Sequence, residues 1–193
     1  MNICVFGASG DELDREYFLA AGALGALMAR EGHCLIFGGG AGGLMGECAR
    51  GAHDGGGEII GVAPRFFDEP GILYGDCSRF IYTETMAQRK QTMEDMAEAF
   101  VVLPGGIGTF EEFFEVLTLK QLGRHEKPMA LLNTLGYYDA LLALLENAVE
   151  GGFLSRGCLE LFSLCDAPRQ ALDRCAVKEE RRGGVKRLRD YHS

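Results

Sequence analysis

Pro104-Gly105-Gly106-Ile107-Gly108-Thr109-Phe110-Glu111-Glu112 is the stretch on which the reading of this chain turns. It follows the apolar run Ala99-Phe100-Val101-Val102-Leu103 and leads into an amphipathic segment over 113–122. Strand, glycine-rich turn and helix, in that order, leave free backbone N–H groups at a helix N-terminus, where phosphate binds well. The spacing puts Glu111 and Glu112 in the first turn of that helix, within reach of whatever the phosphate carries. A phosphate grip beside a carboxylate points to chemistry on a phosphorylated metabolite.

Outward from this stretch, apolar runs alternate with helical patterns. Strands are expected over 3–6, 34–37, 59–63, 80–82, 100–103 and 129–132, with an edge strand over 161–164. Between them lie helical patterns over 13–30, 44–53, 85–96, 138–150 and 168–177, besides the one that follows the glycine motif. Thr85-x-x-Gln88 matches a capping box. Strands separated by helices imply βαβ units, hence an α/β, three-layer Rossmann-like fold whose mainly parallel sheet has helices on both faces. Glycine-bearing loops after Phe6, Phe37 and Leu103 then open on one edge of the sheet, where such folds bind ligands. Residues 1–177 form one domain and 178–193 a basic C-terminal tail, read as a solvated, partly frayed terminus.

The 193 residues suffice for a single sizeable core. A formal charge of −9 argues against a nucleic-acid polymer as partner, which demands a basic face. Seven cysteines without metal-ligand spacing or a signal peptide fit free thiols in a reducing cytosol, so the expected location is cytoplasmic. No run is long enough to span a bilayer, and no membrane partner is expected. The four histidines show no ligand spacing. No Walker lysine, H-E-x-x-H or Ser-His-Asp pattern occurs, which disfavours a P-loop ATPase.

Several residues have two readings at this point. Thr109 and Glu112 form a T-x-x-E capping box, yet an ordinary helix start needs no Gly-Gly-x-Gly before it nor a second glutamate. Periodicity leaves open whether Glu111 faces ligand or solvent. Arg89-Lys90 is either a solvated basic pair or places a guanidinium over the sheet edge, toward a phosphate or carboxylate. Gly38 to Gly46 lacks the G-x-G-x-x-G fingerprint, so its glycines serve either tight packing or a nucleotide. Tyr137-Tyr138-Asp139 and Leu141, Leu142 and Leu145 read as helix start and core.

Together these motifs resemble the LOG ("Lonely guy") family of cytokinin riboside 5′-monophosphate phosphoribohydrolases, often labelled lysine decarboxylases. The P-G-G-x-G-T-x-x-E hallmark is complete from Pro104 to Glu112, and Met86-Ala87-Gln88-Arg89-Lys90 supplies the arginine-lysine pair. Gly43-Leu44-Met45-Gly46, Gln121-Leu122-Gly123, Lys127-Pro128, Gly136-Tyr137-Tyr138 and Gly152-Phe153 match as well, so the resemblance covers residues 2–173. Three positions depart from it: Leu119 in place of a frequent tryptophan, Ala87 in place of a histidine, and Gly7-Ala8-Ser9-Gly10 in place of a two-serine loop. These are expected on the pocket wall and one phosphate loop.

The resemblance implies hydrolysis of the N-glycosidic bond of a nucleoside 5′-monophosphate, either a cytokinin riboside monophosphate or AMP, to free base and ribose 5-phosphate. It assigns catalysis to Glu112 and Arg89. Glu112 stabilises the cation at C1′ or polarises water, and Arg89 holds phosphate or orients substrate. Lys90 and Glu111 would be accessory groups. Gly105, Gly106, Gly108 and Thr109 would donate to the 5′-phosphate, with Ser9 and Gly40 lining the same pocket. It further implies no metal, no cofactor and a homodimer whose site borrows partner residues. The rival of another class is a non-catalytic Rossmann-like carrier or sensor of a phosphorylated nucleotide or cofactor. A lysine decarboxylase is the weakest option, since no lysine is supported as a pyridoxal phosphate anchor.

Overall fold

The computed structural model describes residues 1–177, so the expected basic tail over 178–193 lies outside the described residues. Seven strands form one sheet: β1 (Asn2–Phe6), β2 (Cys34–Phe37), β3 (Ile59–Pro64), β4 (Arg79–Thr83), β5 (Ala99–Val102), β6 (Met129–Leu132) and β7 (Ser163–Cys165). Every pairing is parallel and the order is β4-β3-β2-β1-β5-β6-β7. Among the described residues, five α-helices connect strands, α1 (Arg15–Arg30), α2 (Gly43–Asp54), α3 (Met86–Met96), α4 (Ile107–Gln121) and α5 (Asp139–Glu150), and α6 (Pro168–Ala176) follows β7. The fold is α/β and Rossmann-like, as the alternation of patterns implies.

β2, β3, β5 and β6 carry no polar side chain, and β1 none after Asn2, because both faces of the central sheet are covered, whereas the edge strand β4 exposes Arg79 and Tyr82. Ile3, Val5, Leu35, Phe37, Ala99 and Val101 point to one side, into a core with Leu24 and Met28 of α1, Leu44 and Ala49 of α2 and Leu172 of α6. Cys4, Phe6, Ile36, Phe100 and Val102 point to the other, against Met93 of α3, Phe113 and Val116 of α4, Tyr138 and Leu145. None of the helices that the described residues form is long and apolar enough to cross a membrane.

Most element boundaries agree with the sequence reading, and the differences have local causes. α1 starts at Arg15, not 13, because the Asp14 carboxylate accepts from Glu16 N–H at 2.9 Å and caps it. β7 begins at Ser163, not 161: Leu161 and Phe162 leave a 3₁₀ turn (Arg156–Glu160) and are buried in the second core before the chain reaches the sheet. Thr85 does cap α3, accepting from Gln88 N–H at 3.1 Å, but the Gln88 side chain answers to Glu84 N–H rather than to Thr85.

The chain runs outward from β1 to β4, then returns to lay β5 on the other side of β1. Ligands bind at the carboxyl ends of strands beside such a reversal. Its position depends on how closely α1 and α2 pack, and glycines permit that approach. A Cβ at Gly25 would lie 1.9 Å from the Cys48 carbonyl oxygen, and one at Gly51 would lie 2.1 Å from that of Gly22. Gly25→Ala should therefore destabilise by about 1–3 kcal/mol, opposite in sign to the gain of about 1 kcal/mol that alanine brings to an unhindered helix interior. Urea unfolding reads this directly, and an unchanged or raised midpoint would show that the two helices have room to spare.

Candidate active site

A cavity of about 730 Å³ opens where the loops after β1, β2 and β5 meet. The three glycine-bearing loops do converge: Gly7, Ala8 and Ser9 come from the first, Gly38, Gly40 and Gly42 from the second, and residues 106–109 from the third. Ala8 joins them. Its N–H donates to the Pro104 carbonyl at 3.0 Å, and its carbonyl accepts from Leu44 N–H at 2.9 Å and Met45 N–H at 3.4 Å.

The start of α4 departs from the sequence reading. Its N-cap is Gly106, in extended conformation and without a side-chain cap. Thr109 and Glu112 lie inside the helix and no capping box forms, because the Pro104-Gly105-Gly106 turn delivers the chain into helix three residues early. The first turn holds no acid, so Glu111 and Glu112 fall in the second turn and leave the positive end of the helix dipole uncompensated. The first helical bond runs from Phe110 N–H to the Gly106 carbonyl at 3.0 Å. The N–H groups of Gly106, Ile107, Gly108 and Thr109 thus have no intrahelical acceptor, and all four residues line the cavity. Free amides at a helix N-terminus are able to receive an oxyanion.

Beside it lies a buried ion pair. Arg89 on α3 is 6% exposed and Glu112 on α4 is 8% exposed. Arg89 Nη1 donates to Glu112 Oε1 at 2.8 Å, and Nε donates to the Val62 carbonyl of β3 at 3.3 Å. Gly38, at the end of β2, leaves the guanidinium its space: a Cβ there would lie 1.9 Å from Arg89 Nη2. Burial raises the Glu112 pKa above the ordinary glutamate value, while the charge and hydrogen bond of Arg89 oppose the rise. Both residues line the cavity.

The remaining expected residues divide. Ser9, Gly40, Gly106, Gly108, Thr109 and Glu111 line the cavity, whereas Gly105 and Lys90 do not. Gly105 lies beneath it, where a Cβ would meet the Thr109 hydroxyl oxygen at 2.1 Å. Lys90 is drawn away by Glu111 and by Glu115, the latter at 2.8 Å, and these partners push its pKa up to about 12. Glu111 is accordingly the solvent-edge carboxylate of the pair and Glu112 the inward one. Leu119 and Ala87, expected on the pocket wall, are likewise not among its lining residues; only the Ser9 loop of the three departures reaches it. Among the described residues no group of three His, Cys, Asp or Glu side chains is placed to hold a metal.

The elements that follow β2, β3 and β4 contribute an apolar part of the lining: Met45, Phe67, Ile72, Leu73 and Met86. Ile72 and Leu73 belong to the segment between β3 and β4, which adds itself to the β2 loop. Ala41 N–H donates to the Ile72 carbonyl at 2.9 Å and Tyr74 N–H to the Gly39 carbonyl at 2.8 Å.

Residues 45–175 match the family described as "Possible lysine decarboxylase". LOG2 of Arabidopsis thaliana, a cytokinin riboside 5′-monophosphate phosphoribohydrolase, is 42% identical over 153 residues, 79% of this chain and 72% of that one. The enzyme of the same name from Mycobacterium marinum is 39% identical over 156 residues, covering 81% and 83%. The chain belongs to the LOG family. Among solved structures, the molybdenum cofactor binding protein of Rippkaea orientalis superposes with a TM-score of 0.69 at 23% identity, over 89% of this chain and 93% of that one. That likeness is one of fold.

Within this LOG chain, sequence spacing hid the role of the two tyrosines. Tyr138 Oη donates to the Leu103 carbonyl at 2.7 Å, and Tyr137 Oη donates to the Gly105 carbonyl. Asn133 at the end of β6 sets them, its Oδ1 accepting from Tyr138 N–H at 2.7 Å. Tyrosines that read as core thus brace the loop that aims the α4 amides, and nothing in their spacing marks partners more than thirty residues away. Tyr138→Phe should cost about 1 kcal/mol of stability and raise KM for a phosphorylated substrate several-fold with kcat little changed. Calorimetry and initial rates test this; equal loss in kcat would mean that the brace sets more than phosphate affinity.

Proposed function

We propose that this protein hydrolyses the N-glycosidic bond of a nucleoside 5′-monophosphate to free base and ribose 5-phosphate. The reading rests on one observation: the buried Arg89–Glu112 pair opens on the cavity that the unpaired α4 amides line. The 5′-phosphate docks on residues 106–109, with Ser9 and Gly40 on the facing loops. As the C1′–N bond lengthens, its electron pair leaves with the base and C1′ gains oxocarbenium character, which the Glu112 carboxylate stabilises. Water adds its hydroxyl to C1′ and its proton passes to the base. Arg89 holds Glu112 ionised and fixed. Glu111 stands at the rim, with Lys90 anchoring it.

The names of the LOG relatives support this reaction class. The apolar part of the lining suits a base carrying an apolar substituent, as a cytokinin riboside monophosphate does, and AMP is the plainer alternative. A role in cytokinin production follows from that reading. The seven free thiols support a reducing, cytoplasmic location.

Glu112→Gln should retain nucleotide binding and lose about 100- to 1,000-fold in base release, measured by chromatography after incubation with AMP and with isopentenyladenosine monophosphate. Because the carboxylate acts ionised and burial raises its pKa, kcat/KM of the wild-type protein should fall on acidification already above the ordinary glutamate range. Binding without base release from either nucleotide would make the protein a carrier instead, and undiminished turnover in the variant would leave Glu112 a structural group.

A homodimer is also proposed, through the face of α4 and α5. Leu144 of α5 is 62% exposed, and its chain neighbour Leu145 lines an apolar groove with Phe114, Leu117 and Phe162. Light scattering after gel filtration should give twice the chain mass, and Leu144→Glu should shift it toward the monomer; a monomeric wild type would refute the assembly.

A further inference from the structure

The N-termini of α2 and α4 both reach this cavity, and they are not alike. At α4 the leading amides are open. At α2 they are all taken: Gly43 N–H donates to Asp11 Oδ1 at 2.7 Å, Leu44 and Met45 N–H to the Ala8 carbonyl, and Gly46 N–H to the Gly42 carbonyl at 3.0 Å. Asp11 comes from the loop after β1, far from α2 in sequence, and lines the cavity itself. A serine or asparagine would cap an amide as well as an aspartate does. A full negative charge in a cavity that receives phosphate lowers anion affinity, so the cap alone does not account for the choice of residue.

The bond to Gly43 fixes the carboxylate through Oδ1. Oδ2 has no hydrogen-bond partner among the described residues and is left as an acceptor. The chemistry of the substrate says what it accepts. Phosphate offers no donor once ionised, and the base belongs against the apolar part of the lining, but the ribose 2′- and 3′-hydroxyls are donors. β1 separates β2 from β5, so the starts of α2 and α4 stand about two strand spacings apart, about 10 Å. The O5′–C5′–C4′–C3′ path with a hydrogen bond at either end covers that distance.

We propose that Asp11 is a specificity-determining residue that reads the ribose diol and so restricts the site to ribonucleotides. The inference rests on the nucleotide reading above and deepens it. An aspartate on ribose hydroxyls is a general solution in folds of this architecture, and a hydrogen bond to a charged group is worth about 10- to 100-fold in affinity.

Binding is measured by calorimetry in the Glu112→Gln background, so that ligand survives, with AMP and isopentenyladenosine monophosphate each set against its 2′-deoxy counterpart. With Asp11 present the ribonucleotide should bind at least tenfold more tightly. Asp11→Ala should reduce that ratio to within threefold, and Asp11→Asn, which keeps the cap, should reduce it at least fivefold. A merely structural cap weakens both sugars equally and leaves the ratio unchanged, which would overturn the inference; so would a protein without ribose preference, or one that binds none of the four ligands. Base release by the protein with Glu112 intact is followed separately. Ribose preference that depends on Asp11 without base release sinks the hydrolase reading alone, and base release with no ribose preference sinks the inference alone.

Discussion

Ala8 is the point on which the site depends. Through its two backbone groups it holds the loop after β5 on one side and the start of α2 on the other. Three chain segments distant in sequence thereby converge within hydrogen-bonding distance, and only small residues tolerate this. Gly43 has a positive φ of 60°, and a Cβ there would lie 2.3 Å from the Ala8 carbonyl oxygen. The reversal in strand order supplies the crevice; Ala8 and its glycine neighbours decide that backbone, rather than side chains, forms its floor.

Against that neutral floor stands the buried Arg89–Glu112 ion pair. Burying two charges carries a desolvation penalty of several kcal/mol per ion, which their attraction offsets only when geometry and extra hydrogen bonds are good. Here Val62 supplies the extra acceptor and Gly38 the room. Stability alone gives little reason to keep such a pair, since apolar residues of like volume often serve as well. In the proposed reaction such a carboxylate has its value as a fixed charge, which acts more strongly in a buried setting than in water.

The fold was largely legible because both sheet faces are buried, and the two core layers impose an unbroken apolar signature on β1, β2, β3, β5 and β6. The errors fall where a local rule met a tertiary demand. T-x-x-E has the form of a cap, but Gly106 takes that place because the Pro104-Gly105-Gly106 turn brings the chain into helix three residues earlier. Arg89 reads equally as a surface residue until Gly38 is seen to make room for it. Lys90 shares its helix and its charge, yet two glutamates of α4 turn it aside. The support from Tyr137 and Tyr138, and the closure of α2 by Asp11, involve partners between 32 and 35 residues away, a separation at which periodicity carries no information.

The segment between β3 and β4 contributes to the apolar part of the cavity lining, and it is tied to the β2 loop by main-chain bonds at Gly39 and Ala41. Its side chains, Phe67 and Ile72, carry none of that attachment. Substitution there alters the shape of the cavity without loosening the main-chain attachment of the segment. The wall of this cavity and its backbone floor are thus separable parts: Phe67 and Ile72 can be exchanged while the Arg89–Glu112 pair and the α4 amides keep their places.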